Sequence, residues 1–241
     1  MTNHKSPIRA IFFDVGDTLV FDNPSQIDRV HIAATACGLD FERARMDAAF
    51  RHVEDYALER YVLGETQDDP QVARRCMDIL WERFGAAALD DDQWIQLQQA
   101  YAAVPYVREL REEIPSLLRA LKSEGFQIGV VSDWTIDLET LLTEMGVREH
   151  LDALAVSDIV GCTKPDPRIF QEALTQAGVA PEETIHIGDF YELDVVGARA
   201  AGMQAALFDW RGRAPNADCP RFTTFAQMLS FVRELYEPNR A

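Results

Sequence analysis

Lysine is nearly missing from this sequence: 241 residues contain three, at 5, 122 and 164, and Lys plus Arg reach only 23 against 40 Asp plus Glu, for a formal charge of -17. Such a surface repels phosphate backbones and anionic lipid, so neither nucleic acid nor a membrane is expected as a partner. It repels an anionic substrate as well, and a site for one has to supply its own positive charge or a metal. The four cysteines, at 37, 76, 162 and 219, form no pair at metal-ligand or redox spacing and read as free thiols of a reducing compartment. No apolar run is long enough for a signal sequence or a membrane span, because the six mostly apolar residues from Ile8 to Phe13 are interrupted at Asp14. A soluble, cytoplasmic protein is the expectation. Internal repeats and low-complexity linkers are also absent.

What is present is a chain that is 47% hydrophobic, enough for a sizeable core in one domain carrying a large insertion. Ile8 to Phe13 reads as a buried, partly β-branched strand that breaks into a loop at Asp14-Val15-Gly16-Asp17-Thr18-Leu19. From 21 to about 104 strand signals disappear and four stripes at helical spacing take over. They are Ile27, Val30, Ala34 and Cys37; Phe50, Val53, Ala57 and Tyr61; Val72, Cys76, Leu80 and Phe84; and Trp94, Leu97, Tyr101 and Val104. Breaks at Gly38, Gly64, Asp69-Pro70 and Gly85 make this a small inserted helical bundle, its aromatic stripes read as core.

From about 111 helices and strands alternate. Helices are expected at about 113–124, 137–145, 168–177, 192–201 and 224–235, and strands at 127–131, 153–156, 184–187 and 205–208. That alternation implies right-handed βαβ crossovers and an α/β, Rossmann-like parallel sheet with helices on both faces, plus the inserted all-helical segment.

Parallel strands bring their carboxyl ends to one edge, where such sheets bind ligands. Asp14 and Asp17 follow the first strand, Ser132 and Asp133 the next, and Asp189 with Asp194 a third. Carboxylates converging there repel one another, and a hard divalent cation resolves the repulsion; Mg²⁺ fits, since it takes one or two carboxylates and completes its shell with water and phosphate oxygens. A carboxylate placed like Asp14 can act as a nucleophile. Lys164, in a Pro-stiffened loop ahead of a helix, is suited to holding a phosphate oxygen and damping the nucleophile's charge. Ser132 offers a hydroxyl to the same group. His186, in an apolar strand, reads as packing rather than chemistry.

Together these residues resemble the haloacid dehalogenase superfamily. The first motif is similar to Phe13-Asp14-Val15-Gly16-Asp17-Thr18-Leu19, the second to Val131-Ser132, the third to Lys164-Pro165-Asp166-Pro167-Arg168-Ile169-Phe170, and the fourth to Gly188-Asp189-Phe190-Tyr191-Glu192-Leu193-Asp194. The resemblance implies a core of residues 1–20 and 108–241, and a C1-type helical cap over 21–107. It implies Asp14 as nucleophile, Lys164 beside it, Thr18, Ser132, Asp133 and Lys164 toward the transferred group, and Asp14, the Gly16 carbonyl, Asp189 and Asp194 toward Mg²⁺. The implied partner is a small phosphorylated metabolite, with the protein a monomer or homodimer.

One departure touches the chemistry. Family phosphatases usually carry an acid/base Asp two residues after the nucleophile; here that position is Gly16, and Asp17 stands one place later, where the family usually has Gly. Thr18 keeps its distance from Asp14, so two residues are exchanged and the loop is not shifted. In addition, Asp133 replaces a frequent Asn and Leu193 another.

Three readings follow: a phosphatase in which Asp17 recovers part of the acid/base role; a 2-haloacid dehalogenase, whose members also lack the second Asp but use no metal; and a phosphate-ligand binding protein without turnover. Glu192 and Asp194 beside Asp189 favour a metal-bearing site over the dehalogenase. Phosphonatase chemistry, which needs a cap lysine, is excluded because no lysine lies between residues 6 and 121.

Overall fold

The structure, a computed structural model, describes residues 8–39, 41–65 and 69–235. In chain order the elements are β1 (Ala10–Phe13), β2 (Val20–Asn23), α1 (Gln26–Ala36), α2 (Arg43–Val62), α3 (Pro70–Arg83), α4 (Asp91–Ala103) and β3 (Val107–Leu110). Then come α5 (Ile114–Ser123), β4 (Gln127–Ser132), α6 (Leu138–Glu144), β5 (Ala153–Val156), α7 (Ser157–Val160) and α8 (Pro167–Ala177). The chain continues with β6 (Thr184–Gly188), a wide π-helical turn over Tyr191–Val196, α9 (Gly197–Ala200), β7 (Gln204–Phe208), β8 (Arg221–Phe222) and α10 (Phe225–Leu235).

Six strands form one sheet in the order β5-β4-β1-β6-β7-β8, and every neighbouring pair is parallel. β1 is central and wholly buried, which is why its sequence is apolar at every position instead of alternating. Successive side chains still go to opposite faces. Ile11 and Phe13 join Ile128 and Val130 under Leu117, Leu121, Leu138 and Met228 of α5, α6 and α10. Ala10 and Phe12 join Val131 under Ile169, Phe170 and Ala173 of α8 on the other side.

Residue contacts divide the chain into two compact units, with breaks between Phe21 and Asp22 and between Glu109 and Leu110. The second unit packs its helices around Met46, Phe50, Leu80 and Trp81. Its helix starts follow from local chemistry: Ser25 and Asp69 cap α1 and α3, and Asp90 with Gln93 forms a capping box at α4.

Three strands escape the sequence pattern. β2 and β3 pair with each other in a separate two-stranded sheet, so residues 20–23 are extended where no strand is expected. That ribbon is partly exposed along both strands, so it carries no apolar alternation, and side-chain contacts from Asn23 to Glu109 and from Arg108 to Asp22 join its strands. β8 is only two residues long. The helix expected over 192–201 begins instead as the π turn.

Phe12 of β1 lies opposite Gly129 of β4, and a Cβ on Gly129 would stand 2.4 Å from the Phe12 ring. Gly129→Ala is therefore expected to destabilise the chain by about 1–3 kcal/mol through overpacking, read as a lower urea midpoint; an unchanged midpoint would show that the ring can give way.

Candidate active site

Because β1, β4 and β6 are parallel neighbours, Asp14, Ser132 and the Gly188-Asp189 corner emerge at one edge. The Asp14 amide donates to Ile187 O at 2.9 Å, extending the β1–β6 pairing one residue past the strand. Its Oδ1 accepts from Lys164 Nζ at 2.6 Å and from Ser132 Oγ at 3.3 Å. Lys164 comes from the loop between α7 and α8, whose helix starts at Pro167 with Asp166 as its cap. Asp133 fastens that loop by accepting the Lys164 amide on Oδ1 at 2.9 Å. The extra carboxylate noted beside Ser132 thus holds the backbone that presents the lysine.

Lys164 also donates to Asp194 Oδ1 at 2.7 Å, and that oxygen is 3.0 Å from His186 Nε2. Asp194 Oδ2 accepts the Phe190 amide at 2.9 Å, a bond made across the π turn. Both Asp194 oxygens therefore have donors. Its carboxylate packs so tightly on the chain that a Cβ at Gly188 would come within 2.1 Å of Asp194 Cγ, so residue 188 has to be glycine.

The electrostatics follow from burial. Burial pushes the Asp14 carboxyl up to about 6 against the pull of Lys164, and the Asp194 charge adds to the rise. Asp189 is driven well above the usual carboxylate range by burial and then by the charges of Asp14, Asp194 and Asp17. For Asp194 burial would do the same, but the Lys164 charge and the His186 hydrogen bond outweigh it and hold the group well below that range. Lys164 goes up despite burial because Asp14 and Asp194 flank it. Burial pushes His186 down against Asp194, so the ring is neutral and donates from Nε2, leaving Nδ1 buried without a hydrogen bond among the described residues. His186 is packed, edge-on to Phe170 at 5.1 Å, and also anchors Asp194.

The remaining expected residues occupy the loop after β1. Asp17 has a left-handed backbone, φ 55°, a conformation in which Gly is easy and Asp tolerable. Its carboxylate is engaged by Arg211 Nη2 at 2.8 Å, while Arg111 donates to the Asp17 and Thr18 carbonyls at 2.9 and 3.0 Å. Thr18 is wholly buried, and its Oγ1 has no hydrogen-bond partner among the described residues. Glu192 is exposed. A Cβ on Gly16 would meet nothing nearer than the Trp134 ring at 3.8 Å, and Phe190 lies under the Arg213 guanidinium at 4.7 Å.

Arg111, Arg211, Arg213 and the buried Asp209 are not singled out by the sequence. The signal was available for three of them, since Asp209-Trp210-Arg211-Gly212-Arg213 follows the end of β7 at the same sheet edge. They supply the positive charge that the acidic surface withholds. Asp189 Oδ2 has no hydrogen-bond partner among the described residues. Together with Asp14 it makes a pair of buried carboxylates, hard oxygen donors of the kind a divalent metal takes. Among the described residues no three His, Cys, Asp or Glu side chains form a metal cluster, and no helix is long and apolar enough to cross a membrane.

Comparison with known proteins gives a concordant picture. The model of the haloacid dehalogenase-like hydrolases matches residues 8–202. Haloacid dehalogenase-like hydrolase domain-containing protein 3 of Mus musculus is 32% identical over 212 residues, covering 85% of this chain and 83% of that protein. A phosphoserine phosphatase of Thermus thermophilus is 28% identical, over 87% and 91%. Among solved structures, the putative HAD-hydrolase YfnB of Bacillus subtilis, bound to magnesium, superposes with a TM-score of 0.64 at 17% identity, over 94% of this chain and 99% of that one.

Replacing Asp194 with Asn leaves Lys164 buried with one carboxylate instead of two. A loss of about 3 kcal/mol is expected in urea unfolding. Because the folded pKa of Asp194 is depressed, its contribution is complete above its ordinary value of 3.8 and fades as pH falls below it. The gap between the two chains should therefore be constant at neutral pH and narrow in acid; a gap that widens in acid would contradict the assignment.

Proposed function

Since the chain belongs to the haloacid dehalogenase-like hydrolases, we propose that this hydrolase is a Mg²⁺-dependent phosphatase of a small phosphorylated metabolite. The observation that carries the reading is the buried Asp14 carboxylate with Lys164 and Ser132 on one of its oxygens. Two of those partners are also suited to a phosphoryl group, and Asp14 Oδ2 remains for attack on phosphorus. The Asp14–P bond forms as the bond to the leaving oxygen breaks, and water then cleaves the phosphoaspartyl anhydride to free phosphate and the carboxylate. Lys164 and Ser132 bind the equatorial oxygens, where charge spreads in such transfers. Asp14, the Gly16 carbonyl and Asp189 would hold the metal, which when bound neutralises charge on the phosphoryl oxygens. Asp194, committed to Lys164, His186 and the Phe190 amide, orients the lysine from behind. The helical unit of residues 22–109 serves as the cap that selects the substrate.

Asp17 anchors its loop to Arg211 and leaves the acid/base role unfilled. The slow step is then departure of the leaving group without a protein acid. The native sequence at position 16 supplies a direct test. Gly16 is outside the left-handed region and has room for a side chain, so Gly16→Asp is expected to raise kcat by about two to four powers of ten on a substrate with a basic leaving group. No gain, with the fold intact, would mean that proton transfer does not limit turnover.

Phosphate release across a panel of phosphorylated metabolites is the primary assay. Activity is expected with Mg²⁺ and not with EDTA, and Asp14→Asn should abolish it. Halide release from 2-haloacids in EDTA would replace this reading with the dehalogenase one. Tight binding of a phosphorylated ligand without turnover would replace it with the binding-protein reading.

A further inference from the structure

Asp209 closes β7 as a carboxylate only 2% exposed, and it organises the loop beyond. Its Oδ1 accepts the Arg213 amide at 2.6 Å, and Oδ2 accepts the Ala214 amide at 3.2 Å and Arg221 Nη1 at 2.9 Å. That fastening fixes the backbone at 213. From there the side chain crosses the Phe190 ring and brings Nη1 to 3.5 Å from Asp189 Oδ2. This is the oxygen that has no hydrogen bond among the described residues. At that separation the guanidinium supplies charge without a directional bond, and both groups are largely withdrawn from water, with side-chain exposures of 15% and 5%. We infer that Arg213 is a tethered counter-ion of Asp189 that competes with the divalent metal for this carboxylate.

The inference rests on the metal-dependent reading above and concerns how that site is kept when no metal is bound. Asp189 faces Asp14, Asp194 and Asp17; Arg111 and Arg211 are tied to the loop after β1, and Lys164 to Asp14 and Asp194. Among the described residues Arg213 is thus the cation paired with Asp189. A dication arriving at Oδ2 meets that fixed positive charge a few ångströms away, and in a poorly hydrated site the repulsion is not screened. Removing the charge should therefore tighten metal binding, whereas a purely structural arginine would leave affinity unchanged or lower it.

Titration of Mg²⁺ into the full chain by calorimetry, without substrate, tests this. Arg213→Met keeps an unbranched apolar stem on Phe190 and removes the charge; it is expected to lower the Mg²⁺ Kd at least about fivefold, the lower end of typical coupling between sites. Arg213→Lys keeps the charge and should stay within about twofold of the native chain, as should Arg199→Met, which removes an exposed charge paired with Asp218. Circular dichroism checks that each variant is folded. Unchanged or weaker binding by Arg213→Met, or equal tightening by Arg199→Met, overturns the competition. Asp189→Asn separates the two layers. Binding to the native chain that is lost in Asp189→Asn leaves the metal-dependent reading standing even if Arg213→Met fails. No binding to the native chain removes both.

Discussion

One ammonium group holds this site together. Lys164 Nζ lies within 2.7 Å of carboxylate oxygens on Asp14 and Asp194, one directly after β1 and the other in the π turn that follows β6. Burying three charges is costly, and an ion pair taken out of water repays that cost only with good geometry and with its remaining hydrogen-bond positions filled. Here they are filled by Ser132, His186 and the Phe190 amide. The network forms only when β1, β4 and β6 are in register and the α7–α8 loop is closed by Asp133. Catalytic geometry and a consistent core are therefore the same requirement at this edge.

Asp189, outside that network, behaves differently from Asp194 inside it. Asp194 is saturated and held ionised. Asp189 has an open oxygen and is pushed toward protonation by burial and then by its acidic neighbours. The contrast separates a carboxylate whose two oxygens are both bonded from one that keeps an oxygen open. A protein of charge -17 also places three arginines around the loop after β1 and Asp189. Arg111 and Arg211 tie down its backbone and Asp17, and Arg213 faces Asp189.

The exchange at positions 16 and 17 shows how a small sequence change redistributes roles. Position 17 keeps a left-handed backbone, so the loop has the shape a glycine there would give it. The carboxylate is carried from that point to Arg211, while position 16 presents none beside Asp14. Under the proposed phosphatase reading, that arrangement makes departure of the leaving group the natural place to look for the limit on rate.

By itself the sequence determined the parallel sheet, the helical insertion, and the convergence of Asp14, Ser132, Lys164, Asp189 and Asp194. Those follow from apolar runs of strand length ending in polar residues and from the rule that parallel strands end at one edge. The sequence did not disclose β2 and β3, because a partly exposed ribbon of four-residue strands shows no regular alternation, nor the π turn that lets the Phe190 amide reach Asp194. Only the tertiary structure decided which carboxylate is satisfied and which is open, that Asp133 fastens a backbone, that Asp17 belongs to Arg211, and that Arg213 faces Asp189. The physical reason is common to all four. Periodicity reports which side chains leave water, but the state of a buried charge depends on partners that only chain folding brings within a few ångströms.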